Sequence, residues 1–315
     1  MIRAFDGSLA DAEGLLAVEQ ATFDECPYTA REIQAMLQPG TGRVPPASRR
    51  SPSGDGGPQR AWLAVNDNPV RAAGGGVVGF VTAFPVSSRQ GVWWEIDLLA
   101  VHPDWQGQGL GWQLIRAAAA GGEGQSNRSR AVVATGNRRS TRAFARAGFQ
   151  AELSACTLLI RRFDEQAPRP QPAPGVSVHE AVSAADSSPR SEAEGGAAAW
   201  QVSLPADGSP GPVLLAEQHG RPAGYAELIE VETLLYRGIW IESLAAPSRA
   251  VRDTLVCHAM NQAMASGLDE VSAMVPGQNQ PMLHTLLAAG FRSLGAYRWF
   301  SADLPLRSEG AAVEL

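Results

Sequence analysis

The chain carries one pattern twice. "GNRRSTRAFARAGF" ends at Phe149 and "GQNQPMLHTLLAAGF" ends at Phe291, and Asn137 stands as far before Phe149 as Asn279 does before Phe291. Upstream, "IDLLAVHP" meets "IESLAAP", placing Leu99 over Leu244, and "AWLAV…GFVTAF" meets "VLLAE…GYAELI". A repeat this long is a copied domain rather than a solenoid unit. The 315 residues leave room for two domains of about 150 residues each. Between the copies lies "DEQAPRPQPAPG", residues 164–175, whose prolines predict a semi-rigid spacer. The expected division is therefore 1–163, a linker at 164–175, and 176–315. Residues 39–60, "PGTGRVPPASRRSPSGDGGPQR", are nearly devoid of apolar side chains. They cannot bury enough surface to offset their ordering entropy, which predicts a mobile loop. "SSPRSEAEGGAAA" from Ser187 is a further low-complexity stretch.

Several function classes recede on composition. Apolar runs such as Val77 to Phe84 contain glycine and stop well short of the roughly 18 residues of a membrane span. The start, "MIRAFDGSLADAEG", has no basic-then-apolar leader, so a cytoplasmic location is expected. A net charge of −6 argues against a nucleic-acid partner. Every one of the 26 basic residues is arginine, for which a GC-rich coding sequence is the plain explanation. Cys26, Cys156 and Cys257 are odd in number and far apart, with no CxxC pair, and the histidines are scattered singly. Neither a disulfide framework nor a metal site is expected.

Within the first copy strands and helices alternate. Ile2 to Phe5, Ala61 to Val65, Val77 to Phe84, Val92 to Val101, Ala131 to Thr135 and Thr157 to Phe163 read as strands. Ala10 to Glu19, Thr29 to Leu37, a segment from Gly109, and Ser140 to Ala147 read as helices. Thr29 with Glu32 forms a capping-box signature.

Where the strand ending at Val101 feeds a helix, the chain reads Gln106-Gly107-Gln108-Gly109-Leu110-Gly111. A glycine-rich turn at a helix N-terminus offers free N–H groups at a positive dipole end, which suits phosphate. Small residues let the anion approach the backbone. The spacing is neither GxGxxG nor a P-loop, and by itself it is equally compatible with a plain turn. On the strand "WWEIDLL", period two places Trp93, Glu95, Asp97 and Leu99 on one face and Trp94, Ile96 and Leu98 on the other. Two carboxylates on an apolar strand beside that turn are candidates for proton transfer.

The order strand, V-x-P-x-x-Q-x-x-G-x-G, helix, strand, N-x-x-[ST], A-G-F resembles the GNAT superfamily of acetyl-CoA-dependent N-acyltransferases, over residues 1–163 and most specifically from Val92 to Phe149. Both halves look closest to the ribosomal-protein N-terminal acetyltransferase (RimI-like) branch, to whose "YT/WS" segment Tyr28-Thr29 is similar. The resemblance implies an α/β fold of two tandem GNAT-like domains, each a mixed, mostly antiparallel sheet flanked by helices. It implies acetyl-CoA as cosubstrate and a primary amine, on a protein N-terminus or a small molecule, as acceptor. Gln106, Gly109 and Gly111 match the pyrophosphate element, and the amides of Gly107, Gln108, Gly109, Leu110, Gly111 and Trp112 would take the pyrophosphate. Leu99, Ala100 and Val101 would pair with pantetheine, the Leu99 N–H would serve the oxyanion, and Asn137 would bond the pantetheine arm. Arg138, Arg139 and Arg142 are near enough to meet the nucleotide phosphates, or they form a solvated basic face.

"WEIDLLAV" looks like "AEIxxCAI" of the superfamily's histone acetyltransferases, which makes Glu95 the matching general base, with Asp97 beside it. Two departures stand out. The RimI-like branch's base glutamate falls on Val132, and its general-acid tyrosine falls on Phe144, whose ring can pack on pantetheine but gives no proton. In the second copy "APSRAVRDTLV" replaces the glycine turn, Arg249 and Arg252 intrude, the tyrosine position is Leu286, and Glu242 falls over Asp97. The expectation is an active N-terminal domain beside a degenerate partner that shapes the acceptor groove, the chain being a monomeric pseudo-dimer or a homodimer. A CoA-binding regulatory or scaffold protein without turnover is the alternative.

Overall fold

The computed structural model describes residues 1–23, 28–37, 59–66, 76–163, 171–181, 213–234 and 236–306. The predicted mobile loop (apart from its last two residues), most of the predicted linker and the low-complexity stretch from Ser187 lie outside these, as does Cys26.

The first half runs β1 (Ile2–Ala4), α1 (Leu9–Thr22), α2 (Ala30–Leu37), β2 (Arg60–Val65), β3 (Val77–Ser88), β4 (Gly91–Val101), α3 (Leu110–Ala120), β5 (Arg128–Ala134), α4 (Arg138–Ala147), β6 (Gln150–Ala151) and β7 (Cys156–Arg162). The second runs β8 (Val176–Glu180), β9 (Val213–Gln218), β10 (Arg221–Glu232), β11 (Arg237–Ala245), α5 (Arg249–Ala265), β12 (Glu270–Pro276), α6 (Gln280–Ala288) and β13 (Arg292–Asp303). Elements read from sequence lie within a few residues of these bounds. The capping box forms as expected: Thr29 N donates to Glu32 Oε2 at 2.7 Å and Glu32 N donates to Thr29 Oγ1 at 3.4 Å.

Apolar periodicity places α1 and α2 on one sheet face, where Leu15, Val18, Ile33 and Leu37 pack on Leu63, Phe80, Leu98 and Ala100. Helices α3 and α4 cover the other face, with Leu114, Ile115 and Phe144 packed on Val81, Trp94, Ile96 and Val133. In the second half α5 and α6 share one core with β9 to β12.

All thirteen strands form one sheet, ordered β1-β2-β3-β4-β5-β13-β7-β12-β11-β10-β9-β8, with β6 on β13. The last strands are therefore exchanged. β13, from the second copy, pairs antiparallel with β5 of the first, and β7, from the first copy, pairs antiparallel with β12 of the second. β7 and β13 also pair with each other, from Tyr297 opposite Cys156 to Arg292 opposite Ile160. Each half thus borrows the strand that covers its own β5 or β12 edge, which would otherwise expose a row of unpaired amides and carbonyls.

The halves also meet face to face. Phe84 and Val86 of β3 and Trp93 of β4 pack with Ile229, Val231 and Trp240 of the second half. Arg89, in the β3–β4 turn, donates its N–H to Glu227 Oε1 at 2.5 Å and stacks its guanidinium on Tyr225 at 4.7 Å.

Candidate active site

The site begins as a fork in the sheet. β4 and β5 run parallel but pair only at Trp94 with Ser129 and Glu95 with Arg130. Beyond that point Ile96 to Val101 has no strand partner on the β5 side among the described residues, so the Leu99 N–H and C=O and the Val101 N–H, which face β5, are open to an extended ligand, whereas the register turns the polar groups of Ala100 toward Phe80 on β3. Below the fork, Gly107 and Gly109 adopt φ of +79° and +80°, the left-handed region that glycine enters without strain. Gly109 caps α3 with no side-chain hydrogen bond. The N–H groups from Gly107 to Trp112 find no acceptor among the described residues. An anion at this point meets a row of donors and the positive end of α3.

The remaining predicted cofactor residues divide. Gln106 props the turn: its Nε2 donates to Val101 O at 2.9 Å, and Arg139 donates to its Oε1. Trp112 is stacked by Arg146 at 4.4 Å. Asn137 is the N-cap of α4, its Oδ1 accepting from Ser140 N at 3.0 Å. Asn279 caps α6 in the same way through Met282 N at 3.2 Å, so the asparagine shared by the repeats has a structural use in both, and the Nδ2 of Asn137 has no acceptor among the described residues. Phe144 lies in the core, 4% exposed, against Phe149 at 5.3 Å and Phe300 at 5.7 Å. Little of its ring is available to a ligand.

One expectation from strict alternation fails. Val81 pairs with Leu99 but Ala83 pairs with Ile96, so β4 carries a bulge at Asp97 and Leu98. The extra residue slips the faces by one. Leu99 joins the Trp94 and Ile96 side, while Leu98 and Ala100 join the side of α1 and α2. The freed Leu98 N–H donates to Thr82 Oγ1 at 3.2 Å. β11 has the same irregularity at Glu242, where Glu227 pairs with Ser243 and Leu228 with Ile241.

Neither candidate carboxylate stands alone. Glu95 Oε2 accepts from Arg130 Nε at 2.6 Å. Arg130 Nη1 and Nη2 donate to Glu242 Oε1 and Oε2 at 2.6 and 3.1 Å, and Glu242 Oε2 also accepts from Trp240 Nε1 at 3.1 Å. The guanidinium lies over Trp299 at 4.5 Å and Trp93 at 5.4 Å. Burial pushes Glu95 up to about 7 against the opposing pull of Arg130, and the nearby charges of Glu242 and Asp97 raise it further. Asp97 accepts from Gln59 Nε2 at 3.2 Å, and Gln59 Oε1 in turn accepts from Leu234 N at 3.1 Å. Burial lifts Asp97 to about 6, opposed by hydrogen bonds from Thr233 and Gln59. Arg130, Glu242, Gln59, Thr233 and Trp299 escaped the sequence reading because their contacts join strands far apart in the chain. Only the placement of Glu242 over Asp97 hinted at one of them.

The exchanged strand adds an aromatic wall. Trp299 pairs with Val132 and Tyr297 with Ala134. Directly opposed residues share a face, so Tyr297 lies on the face that carries Arg130 and Glu95.

In the second half the corresponding turn is filled. Ser248 caps α5, accepting from Val251 N at 3.3 Å. Arg252 Nη1 donates to Ala246 O and Pro247 O, both at 2.9 Å, while its Nε donates to Thr285 Oγ1 at 3.2 Å across to α6. Among the described residues no group of His, Cys, Asp and Glu could hold a metal, and no helix is long and apolar enough to cross a membrane.

Residues 37–149 match the model of the acetyltransferase (GNAT) family, a match that supports an acyltransferase. No curated protein matches the chain. Among solved structures it is similar to a GCN5-related N-acetyltransferase from Sphaerobacter thermophilus, at 17% identity over 96% of this chain and 95% of that one, TM-score 0.53. A tandem GNAT protein from the clavulanic acid biosynthesis pathway is similar at 16% identity over 96% and 98%, TM-score 0.51. The glucosamine N-acetyltransferase region of a fungal multi-domain GH3 beta-N-acetylglucosaminidase is similar at 14% identity over 96% and 38%, TM-score 0.54. At these identities the structural likeness establishes the fold alone, an α/β fold of tandem GNAT type.

Proposed function

We propose that the chain moves an acetyl group from acetyl-CoA to a primary amine, with the chemistry in the N-terminal half. The observation that carries this is the fork between β4 and β5 standing directly above the uncapped donors of Gly107 to Trp112. In this reading pantetheine lies along Leu99 to Val101, helped by Asn137 Nδ2, and the pyrophosphate sits on the glycine turn. The amine nitrogen attacks the thioester carbon, Glu95 takes its proton, and the Leu99 N–H steadies the oxyanion. Tyr297 is the phenol on the Glu95 face and is the proton donor we assign to the departing thiolate. The Arg252 plug and the Ser248 cap support a second half that takes no cofactor and instead walls the acceptor groove through Trp240, Trp299 and Thr233. The Asn137 cap, the Gln106 prop and the basic residues around α4 fit the rim of the nucleotide site. In the same reading the first half is RimI-like and the two copies divide at the proline-rich stretch 164–175.

Calorimetric titration of the full chain with acetyl-CoA tests this. One site per chain, sharply weakened by Gly107→Asp and left intact by Arg252→Ala, supports the reading. Two sites would overturn the assignment of the second half, and no binding would overturn the function. The pairing of Glu95 with Arg130 favours one rival, a CoA-binding scaffold without turnover. Glu95→Gln separates the two: an enzyme keeps cofactor affinity and loses rate, whereas a scaffold shows no acetyl transfer to any amine before or after the change.

A further inference from the structure

Two carboxylates share one buried cation across the junction of the halves. Arg130, on β5 of the first half, gives one hydrogen bond to Glu95 and two to Glu242 on β11 of the second. The side chains of Glu95, Arg130 and Glu242 are 12%, 9% and 9% exposed, so water screens them little. A single guanidinium balances one carboxylate, and the cluster keeps one excess negative charge. The residue with the weaker hold on Arg130 is where a proton is best accommodated.

We propose that Glu242, supplied by the half whose cofactor turn is filled, is a positioning residue of the N-terminal site: it takes the two-bonded side of Arg130 and so leaves Glu95 able to accept a proton. The proposal rests on the reading of Glu95 as general base and deepens it. Without the charge at position 242, Arg130 would pair with Glu95 alone and hold it as an ionised, weakly basic carboxylate. The duplicate then acts on the chemistry without touching cofactor. Its other ties to the cluster fit this use. Trp240 Nε1 fixes the Glu242 carboxylate, and the Trp299 and Trp93 rings hold the guanidinium in place. The charged groups facing Glu95 are Arg130 on β5, Asp97 on its own strand and Glu242 on β11. Arg128 stands behind the Trp93 ring at 4.0 Å, and Glu227 on β10 is held by Arg89 N and Ser243 Oγ. The neighbours on β13, Trp299 and Ser301, are uncharged.

The test is a carboxyl-carbon NMR titration of the full chain with glutamate labelled at Cδ, the Glu95 signal being identified by its loss in Glu95→Gln. We expect a Glu95 midpoint near 7 in the unmodified protein, and in Glu242→Gln a midpoint lower by about one pH unit or more, a tenfold change in proton affinity. Glu242→Asp keeps the charge and should hold the midpoint within about half a unit of the parent. The side-chain amide introduced by Glu242→Gln still offers Arg130 an acceptor, and Arg130 stays paired with Glu95, so the fold should survive, and thermal melting checks it. A midpoint in Glu242→Gln equal to the parent's overturns the proposal, as does an equal fall in the Asp and Gln variants. Acetyl-CoA affinity, measured on the same samples, should not change between parent and variants. Loss of binding in the parent would sink the acyltransferase reading while leaving these midpoints to be judged on their own.

Discussion

Gly107→Asp, set against Gly107→Asn, isolates the electrostatics of the glycine turn. A Cβ at Gly107 would meet nothing within 4 Å, so both side chains start from open space. Both residues tolerate the left-handed conformation at φ +79° better than other L residues, and both incur the same backbone cost. They differ by one charge. A carboxylate about 6 Å from each charge of a bound pyrophosphate, at an effective dielectric of about 40 for this open turn, is repelled by roughly 1.4 kcal/mol per charge. Two charges give about 2–3 kcal/mol, so acetyl-CoA should bind roughly 30- to 150-fold more weakly to the Asp variant than to the Asn variant. Calorimetry at about 0.05 and 0.5 M salt provides the second axis, because screening should shrink the gap severalfold at high salt. Equal affinities for the two variants at low salt would refute the placement of the phosphates on this turn.

Other outcomes follow from the same geometry. Glu95→Gln should lower kcat about 100-fold, within the usual range for loss of a general base, without altering acetyl-CoA affinity by calorimetry. Because the base must be ionised, and Glu95 is raised to about 7, kcat should climb as pH rises through about 7, as steady-state rates across pH 5 to 9 would show. Asp97 is raised to about 6 from 3.8, so the folded state binds the proton more tightly than the unfolded one. The resulting penalty is absent below about pH 4, grows from there to about 6 and is complete above, on the order of 3 kcal/mol. Asp97→Asn should flatten that stretch of the urea-midpoint profile. Tyr297→Phe should lower kcat about tenfold or more, and an unchanged kcat in stopped-flow acetyl transfer would remove the phenol from the reaction.

The sequence exposed what is local. Helices and strands follow from apolar period, the Thr29–Glu32 box from its spacing, and the anion turn from its glycines, because each is decided by residues within a few positions of one another. Asn137 was legible as a motif residue but not as the N-cap it turns out to be, since capping and ligand binding ask for the same amide. Strict alternation misassigned Leu99, as a bulge adds no residue type of its own. Periodicity marks β13 as a strand and is silent on which edge it joins. Hence Trp299 and Tyr297 were invisible as members of the N-terminal site, and so was the Arg130 bridge between Glu95 and Glu242.

The strand exchange also dictates an order of events at the ribosome. β5 ends at Ala134, while the strand that covers its edge starts at Arg292. At about 5–20 residues per second, that edge waits on the order of ten seconds for its partner to be synthesised. A nascent first half can collapse its helices onto β1 to β4, yet it cannot close its sheet until nearly the whole chain has emerged. Pairings this distant slow folding and lengthen the exposure of an adhesive edge. The expected costs of joining the two copies through their last strands are chaperone dependence during translation and, for chains truncated before β13, aggregation rather than a working half-protein.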